Sequence, residues 1–505
     1  MSCFHKLKDG FAARYVLCLL FFLGFMVVFL LRVNINLAIV GMVKTTISQE
    51  SNLTSSIGGC AVGNVTASSD KQTGDHVQGE FDWDEMQQSV ILSSFFWGYL
   101  FFQIPGGRVA EVIGAKRVYG GAVLINGMLC FLLPFLAKLH WISLLIIRAL
   151  QGLTQGVVFP ALSAAVTLWV PISERARFMS FAVQGASLGT VVSMPLCGLL
   201  LKSWGWEAVF YVSGLLALLW CMAWWFFMFD TPEQHPRISP DEKQYIRENL
   251  PPQDRKRPPV PWKSVLTSWQ FMLGCIAAIG NDWGYHTFIT LVPKYLKGGL
   301  SFDVEQSSWL TSLPYLCQYI FASCYGTFMD FLLQKNKITV LTLRRVSMIV
   351  SQILPALSFI ALSMAGCNAT FAVTILTLAV SLIGAYSSGY FQNSIDVAPN
   401  YAGSLTGMMN AVGSITGIIS TPVAGAVLQN DSTTEGWKVI FWISAAMYAI
   451  CSLPYMICAT AQVQPWNNPD EKTAKSVPVL MLSNVASSDV EDSDTEEALN
   501  KNKLM

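Results

Sequence analysis

Twelve apolar runs set the terms on which this chain can fold. They lie near 15–42, 87–106, 117–137, 141–168, 178–200, 208–229, 269–293, 308–329, 342–364, 370–391, 403–428 and 437–460. A helix needs about 20 apolar residues to cross hydrocarbon. Nothing in that medium can satisfy an exposed peptide group from outside, so such runs fold as helices. A soluble chain carries about 25% charged residues; this one carries 13% and is 53% hydrophobic. The predicted fold class is therefore all-α and polytopic, with twelve transmembrane helices. The formal net charge is +0, which offers nothing to a nucleic acid. The bilayer is the expected large partner, and a monomer the expected state.

Charge placement predicts how the helices are threaded. Basic residues gather at Arg108, Lys116, Arg117, Arg175, Arg177, within 230–267, and at Lys335, Lys337, Arg344 and Arg345. All fall in junctions on one side, which the positive-inside rule makes cytosolic. The N-x-[ST] sequons at Asn52, Asn64, Asn368 and Asn430 all fall on the opposite side, where glycosylation occurs. The expected organisation is a cytosolic N-terminus (1–14), a six-helix bundle (15–229) with a luminal or extracellular glycosylated loop (44–85), a cytosolic linker (230–267), a second six-helix bundle (268–460) and a disordered acidic cytosolic tail (461–505). The linker predicts one short amphipathic helix around "SPDEKQYIREN". Cys60 and Cys367 share the luminal side, which permits a disulfide. No pair of cysteines has CxxC spacing and the five histidines are scattered, so no metal or other cofactor is expected.

The two halves echo each other. "WDEMQQSVILSSFFWGYLFFQIPGGRVAE" and "FDVEQSSWLTSLPYLCQYIFASCYGTFMD" align without a gap, pairing Asp84 with Asp303, Gln87 with Gln306, Gly107 with Gly326 and Glu111 with Asp330. "GASLGTVVSMPLCG" and "GSITGIISTPVAG" form a second pair. Parallel six-helix repeats mark a transporter with its site between the repeats near midplane. Gly107, Glu111, Lys116 and Arg117 in one half, and Gly326, Asp330, Arg344 and Arg345 in the other, form acidic–basic clusters at equivalent cytosolic turns. These predict a charge latch that breaks as the halves rock.

The charges inside the apolar runs point to the cargo. Arg32, Arg148 and His286 sit at similar depths, each with a polar companion on its helix face: Asn36, then Gln151 and Gln155, then Asp282. An arginine at the centre of a membrane helix costs about 2.5–3.5 kcal/mol on insertion scales. Two of them with few buried acids leave net positive charge in a cavity, and the planar fork of arginine suits a carboxylate or phosphate. An anion site is the natural reading, with Asp282 as the resting partner of an arginine.

Several stretches carry a family resemblance: "SSFFWGYLFFQIPGGRVAEVIGAKRV", "IRALQGLTQGVVFPA", "TSLPYL", "NSIDVAPNYAG" and "AQVQPWNNPDE". Together with the six-plus-six repeat, they resemble the major facilitator superfamily, and within it the anion–cation symporter family. That family includes sialin, the vesicular glutamate transporters and the type I sodium–phosphate cotransporters. The resemblance implies substrate binding by Arg32 and Arg148; the depth and helix faces of the residues place Asn36 and His286 beside them as candidate binding residues. Asn393 and Asp396 in "FQNSIDVAP" match the family's pattern, with Ser394 in place of its histidine, and Asp396 reads as a gating or capping residue near the cytosolic end of span 10. His286 stands where sialin-type members have an aromatic residue. Asn281 and Leu92 stand where the glutamate transporters have arginine and histidine. Proton-coupled members carry glutamate at one or both of the positions that are Gln151 and Gln155 here, and glutamine cannot take up a proton in the physiological range. Asp282 and His286 remain as groups that could titrate.

The expectation is a secondary active transporter of small anions, inorganic phosphate or organic carboxylates. Sodium coupling, rocker-switch motion and a plasma-membrane location are expected, nearest to the phosphate cotransporter branch. The alternative is a proton-coupled lysosomal or vesicular transporter of sialate or acidic amino acids. A membrane enzyme would need buried nucleophile–base pairs or clustered metal ligands, and a channel fits poorly with duplicated latches.

Overall fold

All twelve apolar runs are helical in the computed structural model, which describes residues 12–44, 79–250 and 260–467 apart from 104, 301, 303, 367, 399, 400 and 432. The first six spans are Ala13–Met42, Glu85–Gln103, Ala115–Leu139, Trp141–Gln155 continued by Val158–Trp169, Ile172–Trp204, and Trp206–Phe227. The last six are Trp269–Lys294, Val304–Gln334, Val340–Ser363, Ala369–Val397, Ala402–Asn430 and Thr434–Cys458. Several run past the apolar stretch that marks them. The fifth begins after Pro171 and ends at Gly205, whose φ of 85° is a left-handed stop that glycine alone adopts freely. Hydropathy measures the hydrocarbon, whereas the hydrogen-bond ladder continues to the next backbone signal.

By length and composition, nine of the twelve are apolar enough to cross a membrane unaided. The other three are the second, seventh and eighth spans, which contain "QQS", "NDWGYH" and "VEQSS". All three lie on the seam between the halves, packed respectively on spans eleven, one and five. Ser89 and Ser308 meet Gly425 and Gly198 of the opposite half, so part of the low hydropathy of these spans is a consequence of position.

Within the first half, four glycines bring backbones together. A methyl group on Gly98 would overlap the Ala149 carbonyl, one on Gly152 the Phe95 carbonyl, and those on Gly185 and Gly189 the carbonyls of Phe22 and Met26. Across the seam the glycines meet side chains instead: Gly198 meets Ser308, Gly417 the Phe96 ring, and Gly425 Ser89.

The contacts that join the halves run from mid-depth to the end where span 1 finishes. There Lys294 forms an ion pair with Glu85 at 2.7 Å, and the Lys297 amine donates to the Val40 carbonyl at 2.8 Å. The Asn36 amide donates to the Ile289 carbonyl at 2.9 Å. The molecule is thus closed at that end.

Spans nine and ten also depart from regular helix, as span four does at Gly156–Val157. Span nine contains a π-turn at Ile349–Ile353. Span ten breaks into a 3-10 turn at Gly384–Ser388 before resuming at Tyr390.

The predicted linker helix is Pro240–Asn249, opened by Ser239, whose hydroxyl accepts from the Glu242 amide at 3.2 Å. Glu242 in turn accepts from the backbone amides of Ala13 and Arg14 at 2.9 and 3.1 Å, tying the linker to the start of span 1. The tail departs from expectation over its first residues. Gln464 donates its amide to the Val397 carbonyl at 2.8 Å, and Trp466, which is buried, stacks on Tyr401 with ring centroids 6.4 Å apart. A large aromatic ring with an apolar shelf within reach folds back onto it. Residues 468–505, Asn52, Asn64, Cys60 and Cys367 lie outside the described residues.

Candidate functional site

Arg148 and Gln151 are one helical turn apart on span 4, and their side chains meet. The Arg148 Nη1 donates to Gln151 Oε1 at 2.9 Å, and Nη2 donates to the Arg32 carbonyl at 3.1 Å. Gln151 is itself steadied, its Nε2 lying 3.4 Å from Cys130 Sγ while the Asn126 amide donates to its carbonyl at 3.0 Å. Arg148 is only 2% exposed, and its Nε has no partner. Gln155, one turn further on, is equally buried, and neither of its amide atoms has a partner.

Arg32 is held differently. Its guanidinium carbon lies 4.9–5.3 Å from the centroids of four rings, those of Phe29, Phe95, Phe96 and Tyr99. Phe29 precedes it by a turn on the same helix. Phe95 and Tyr99 share a face of span 2 through their four-residue spacing. Cation–π contacts contribute about 2 kcal/mol or more when desolvated, so the rings offset much of the cost of placing this charge in the membrane. Phe95 also lies under Arg148 at 5.2 Å. One ring thus separates two cations, because Gly98 and Gly152 let spans 2 and 4 approach to backbone contact.

Arg32, Asn36, Phe95, Phe96 and Arg148 face Thr290 and Ile289 of span 7 across a narrow gap. His286 stands one turn before Thr290, 3% exposed, with Nδ1 3.2 Å from the Thr416 hydroxyl. Its ring meets Phe96 edge-on at 4.4 Å. Arg32, Arg148, Asn36 and His286 are therefore brought into one neighbourhood at the seam.

Asp282 does not join them as expected. Its Oδ1 accepts from the Asn281 amide at 3.1 Å, and its Oδ2 packs against Gly413. Among the described residues it makes no salt bridge to Arg32, Arg148 or His286. The reason is geometric: it projects into the second half toward span 11, while both arginines belong to the first.

The latch is also rearranged. Arg344 donates through Nε to Asp396 at 2.7 Å, through Nη2 to the same carboxylate at 3.2 Å, and through Nη1 to Gln392 and to the Ser388 carbonyl. Its carboxylate partner is thus Asp396 rather than Asp330, which is exposed in the same region as Gly326. Arg345 donates to the carbonyls of Ile457 and Ala459. In the first half, Asp230 accepts from the Lys116 backbone amide at 2.8 Å, where Gly114 has a φ of 101°. Arg117 is exposed. Gly107 and Glu111 belong to the short helix Gly106–Ile113, and the Glu111 side chain lies outside the described residues. Of the sequons, Asn368 caps span 10 by accepting from the Phe371 amide, and Asn430 donates to the Ala426 carbonyl. Both are exposed.

Sequence reasoning missed the rings around Arg32. The i, i+4 spacing of Phe95 and Tyr99 was available, but aromatic residues are common in any membrane helix. Chemically, two guanidinium groups with spare donors in a mostly apolar gap can hold a small anion. No group of three or more His, Cys, Asp or Glu side chains is placed to hold a metal among the described residues.

The profile of the "Major Facilitator Superfamily" matches residues 17–421 and again 274–488. Sialin of Homo sapiens is 37% identical over 90% of this chain and 91% of its own. The chain is a member of the major facilitator superfamily, in its anion–cation symporter family. Other relatives span the same family. A Drosophila melanogaster protein named "Putative inorganic phosphate cotransporter" is 33% identical over 92% of this chain and 88% of its own. Vesicular glutamate transporter 2 of Homo sapiens is 31% identical over 92% and 76%. Among solved structures, a D-xylose–proton symporter shares the fold with a TM-score of 0.63 at 14% identity, covering 89% of this chain and 99% of its own. A bacterial homologue of the human lysosomal transporter Spinster, inward-facing and occupied, also scores 0.63 at 14% identity. As a facilitator of this family, the protein is a multi-pass membrane transporter of small molecules and not an enzyme.

Proposed function

We propose that the protein is a sodium-driven symporter of small anions, inorganic phosphate or organic carboxylates, working by rocker-switch alternating access at the plasma membrane. The observation that carries this reading is the convergence of Arg32 and Arg148 on one gap at the seam, with Gln151 holding Arg148. Arg148 keeps a free Nε, and Arg32 keeps its whole donor fork facing rings, so an arriving anion gains hydrogen bonds without displacing a carboxylate. Asn36 lines the same gap and His286 stands behind Phe96 beside it, and both would orient the anion.

Sodium is favoured over protons by Gln151 and Gln155, neither of which can carry a proton beside the arginines. The phosphate named for the Drosophila relatives supports the cargo. The second reading, a proton-coupled carrier of sialate or acidic amino acids in a vesicular or lysosomal membrane, draws on the higher identity to sialin and on the vesicular glutamate relatives. Both termini are assigned to the cytosol, and the exposed Asn368 and Asn430 with Asn52 and Asn64 to the glycosylated side. Asp396 with Arg344 is assigned to gating. Gly107, Glu111, Lys116, Arg117, Gly326, Asp330 and Arg345 form the turns around it and its counterpart.

Flux in proteoliposomes tests the reading, comparing phosphate, sialate, glutamate and urate under imposed sodium or proton gradients. Sodium-dependent phosphate or carboxylate uptake that is lost in Arg32→Gln is expected. Uptake that ignores sodium and follows a proton gradient would overturn the coupling, and intact uptake in a correctly inserted Arg32→Gln would overturn the site.

A further inference from the structure

Asp282 is a carboxylate in the middle of a membrane helix with no cationic partner among the described residues. Such a group is costly to insert and marks function more often than packing. Amide and phenol oxygens gather around it. Asn281 turns its amide nitrogen toward Asp282, which leaves its Oδ1 buried with no partner. Across from it, spans 7 and 10 are in contact at the segment Tyr390–Val397. Tyr390 adjoins Asn281 there. One turn on and on the same face, Asn393 is 4% exposed, and its Oδ1 likewise has no partner. This segment follows the 3-10 break at Gly384–Ser388, the kind of interruption that places backbone oxygens at membrane depth.

We propose that Asp282, Asn281, Tyr390 and Asn393 form a sodium site in the second half, separate from the arginine pair of the first. The proposal rests on the sodium-driven reading above and supplies its location. A bound proton would satisfy one carboxylate oxygen and leave both amide oxygens unmet. A hard monovalent cation meets all of them, with one negative ligand to balance its charge. No set of three acidic, cysteine or histidine side chains suited to a divalent or transition ion occurs among the described residues.

The same placement couples the ion to the cargo. Asp282 is near enough for its charge to be felt at Arg32, and with its site empty it weakens the positive field an anion meets. Sodium neutralises the carboxylate and restores that field. By linkage the anion strengthens sodium binding by the same factor.

The test is binding of radioactive sodium and radiolabelled phosphate to the purified full-length chain in detergent, with gel filtration to check folding. The wild type is expected to bind sodium without any anion present. Asp282→Asn is expected to lose it, and Asn281→Ala and Asn393→Ala to weaken it by about tenfold or more. Arg32→Gln is expected to lose phosphate and keep sodium. If the wild type binds no sodium, both this site and the sodium-driven reading fall. If it binds sodium and Asp282→Asn binds as tightly, the site falls and the sodium-driven reading stands. Should Asp282→Asn elute as aggregate, the two alanine variants decide, and undiminished binding in both overturns the site.

Discussion

Removing the ion pair between Glu85 and Lys294 should unlock the closed end of the bundle. The Lys294 amine and the Glu85 carboxylate are 2.7 Å apart, with side chains 9% and 34% exposed. Exposed pairs contribute about 0.2–1 kcal/mol, whereas breaking a fully buried pair costs about 3–5 kcal/mol. This one, with one partner buried and the other a third open, belongs between them at about 2 kcal/mol. The pair joins the halves only while this end is shut, so its loss falls on the balance between closed and open states. At about 1.4 kcal/mol per tenfold, the open population should rise about 30-fold. Ser89 reports it, since it is 1% exposed and lies beneath Gly425 of the opposite half. In Ser89→Cys, labelling of position 89 by a membrane-impermeant maleimide should quicken by about that factor when Glu85→Gln is added. The parent chain controls for the exposed Cys324 and Cys458. The exchanged pair, Glu85→Lys with Lys294→Glu, should return the rate close to its starting value. Unchanged labelling in Glu85→Gln, or no recovery in the exchanged pair, would refute the reasoning.

Arg344→Gln should lower thermal stability by about 3 kcal/mol, because it leaves Asp396 without its partner in a half-buried network. Arg344→Lys should recover little of that loss, since one amine cannot reach Asp396, Gln392 and the Ser388 carbonyl together; unfolding in detergent followed by fluorescence reads both. Gly152→Ala should cost about 1–3 kcal/mol and weaken anion binding by pushing Phe95 off the arginines. Gly121→Ala, where a methyl meets nothing within 4 Å, should change neither in the same assays. His235 of the linker sits edge-on to Trp169 and Phe229 and accepts a hydrogen bond at Nδ1 from the Arg237 amide. Burial, chiefly, lowers its pKa below 6.5. The unfolded chain therefore takes up a proton before the folded one does, and stability should fall as pH drops below about 6.5. His235→Asn should flatten that part of a stability–pH profile.

The spans were legible because hydrocarbon leaves a chain so few options: each run of about 20 apolar residues must be helix. Arg32 and Arg148 were legible for the converse reason, as charges where charge is costly. Their immediate partners were not. Phe95, Phe96 and Tyr99 look like any aromatic residues of a membrane helix until spans 2 and 4 are seen to touch through Gly98 and Gly152. The partner of Arg344 was misread because Asp330 and Asp396 are both acids near the same turns. Only the fold shows that Asp396 comes within 2.7 Å. The docking of Trp466 was invisible for want of any periodicity in the short segment after the last span.

The two kinds of glycine contact have a mechanical meaning. Inside a half, Gly98, Gly152, Gly185 and Gly189 press against carbonyl oxygens, which have no rotamer to escape into. Across the seam, Gly198, Gly417 and Gly425 press against a serine, a phenylalanine and another serine, all of which can swing. The first bundle is therefore welded at these crossings, while the joint between bundles is made of parts that can yield. Wear from mutation should follow the same division. A methyl group added at a weld jams a whole six-helix block, and one added at the joint merely stiffens the stroke.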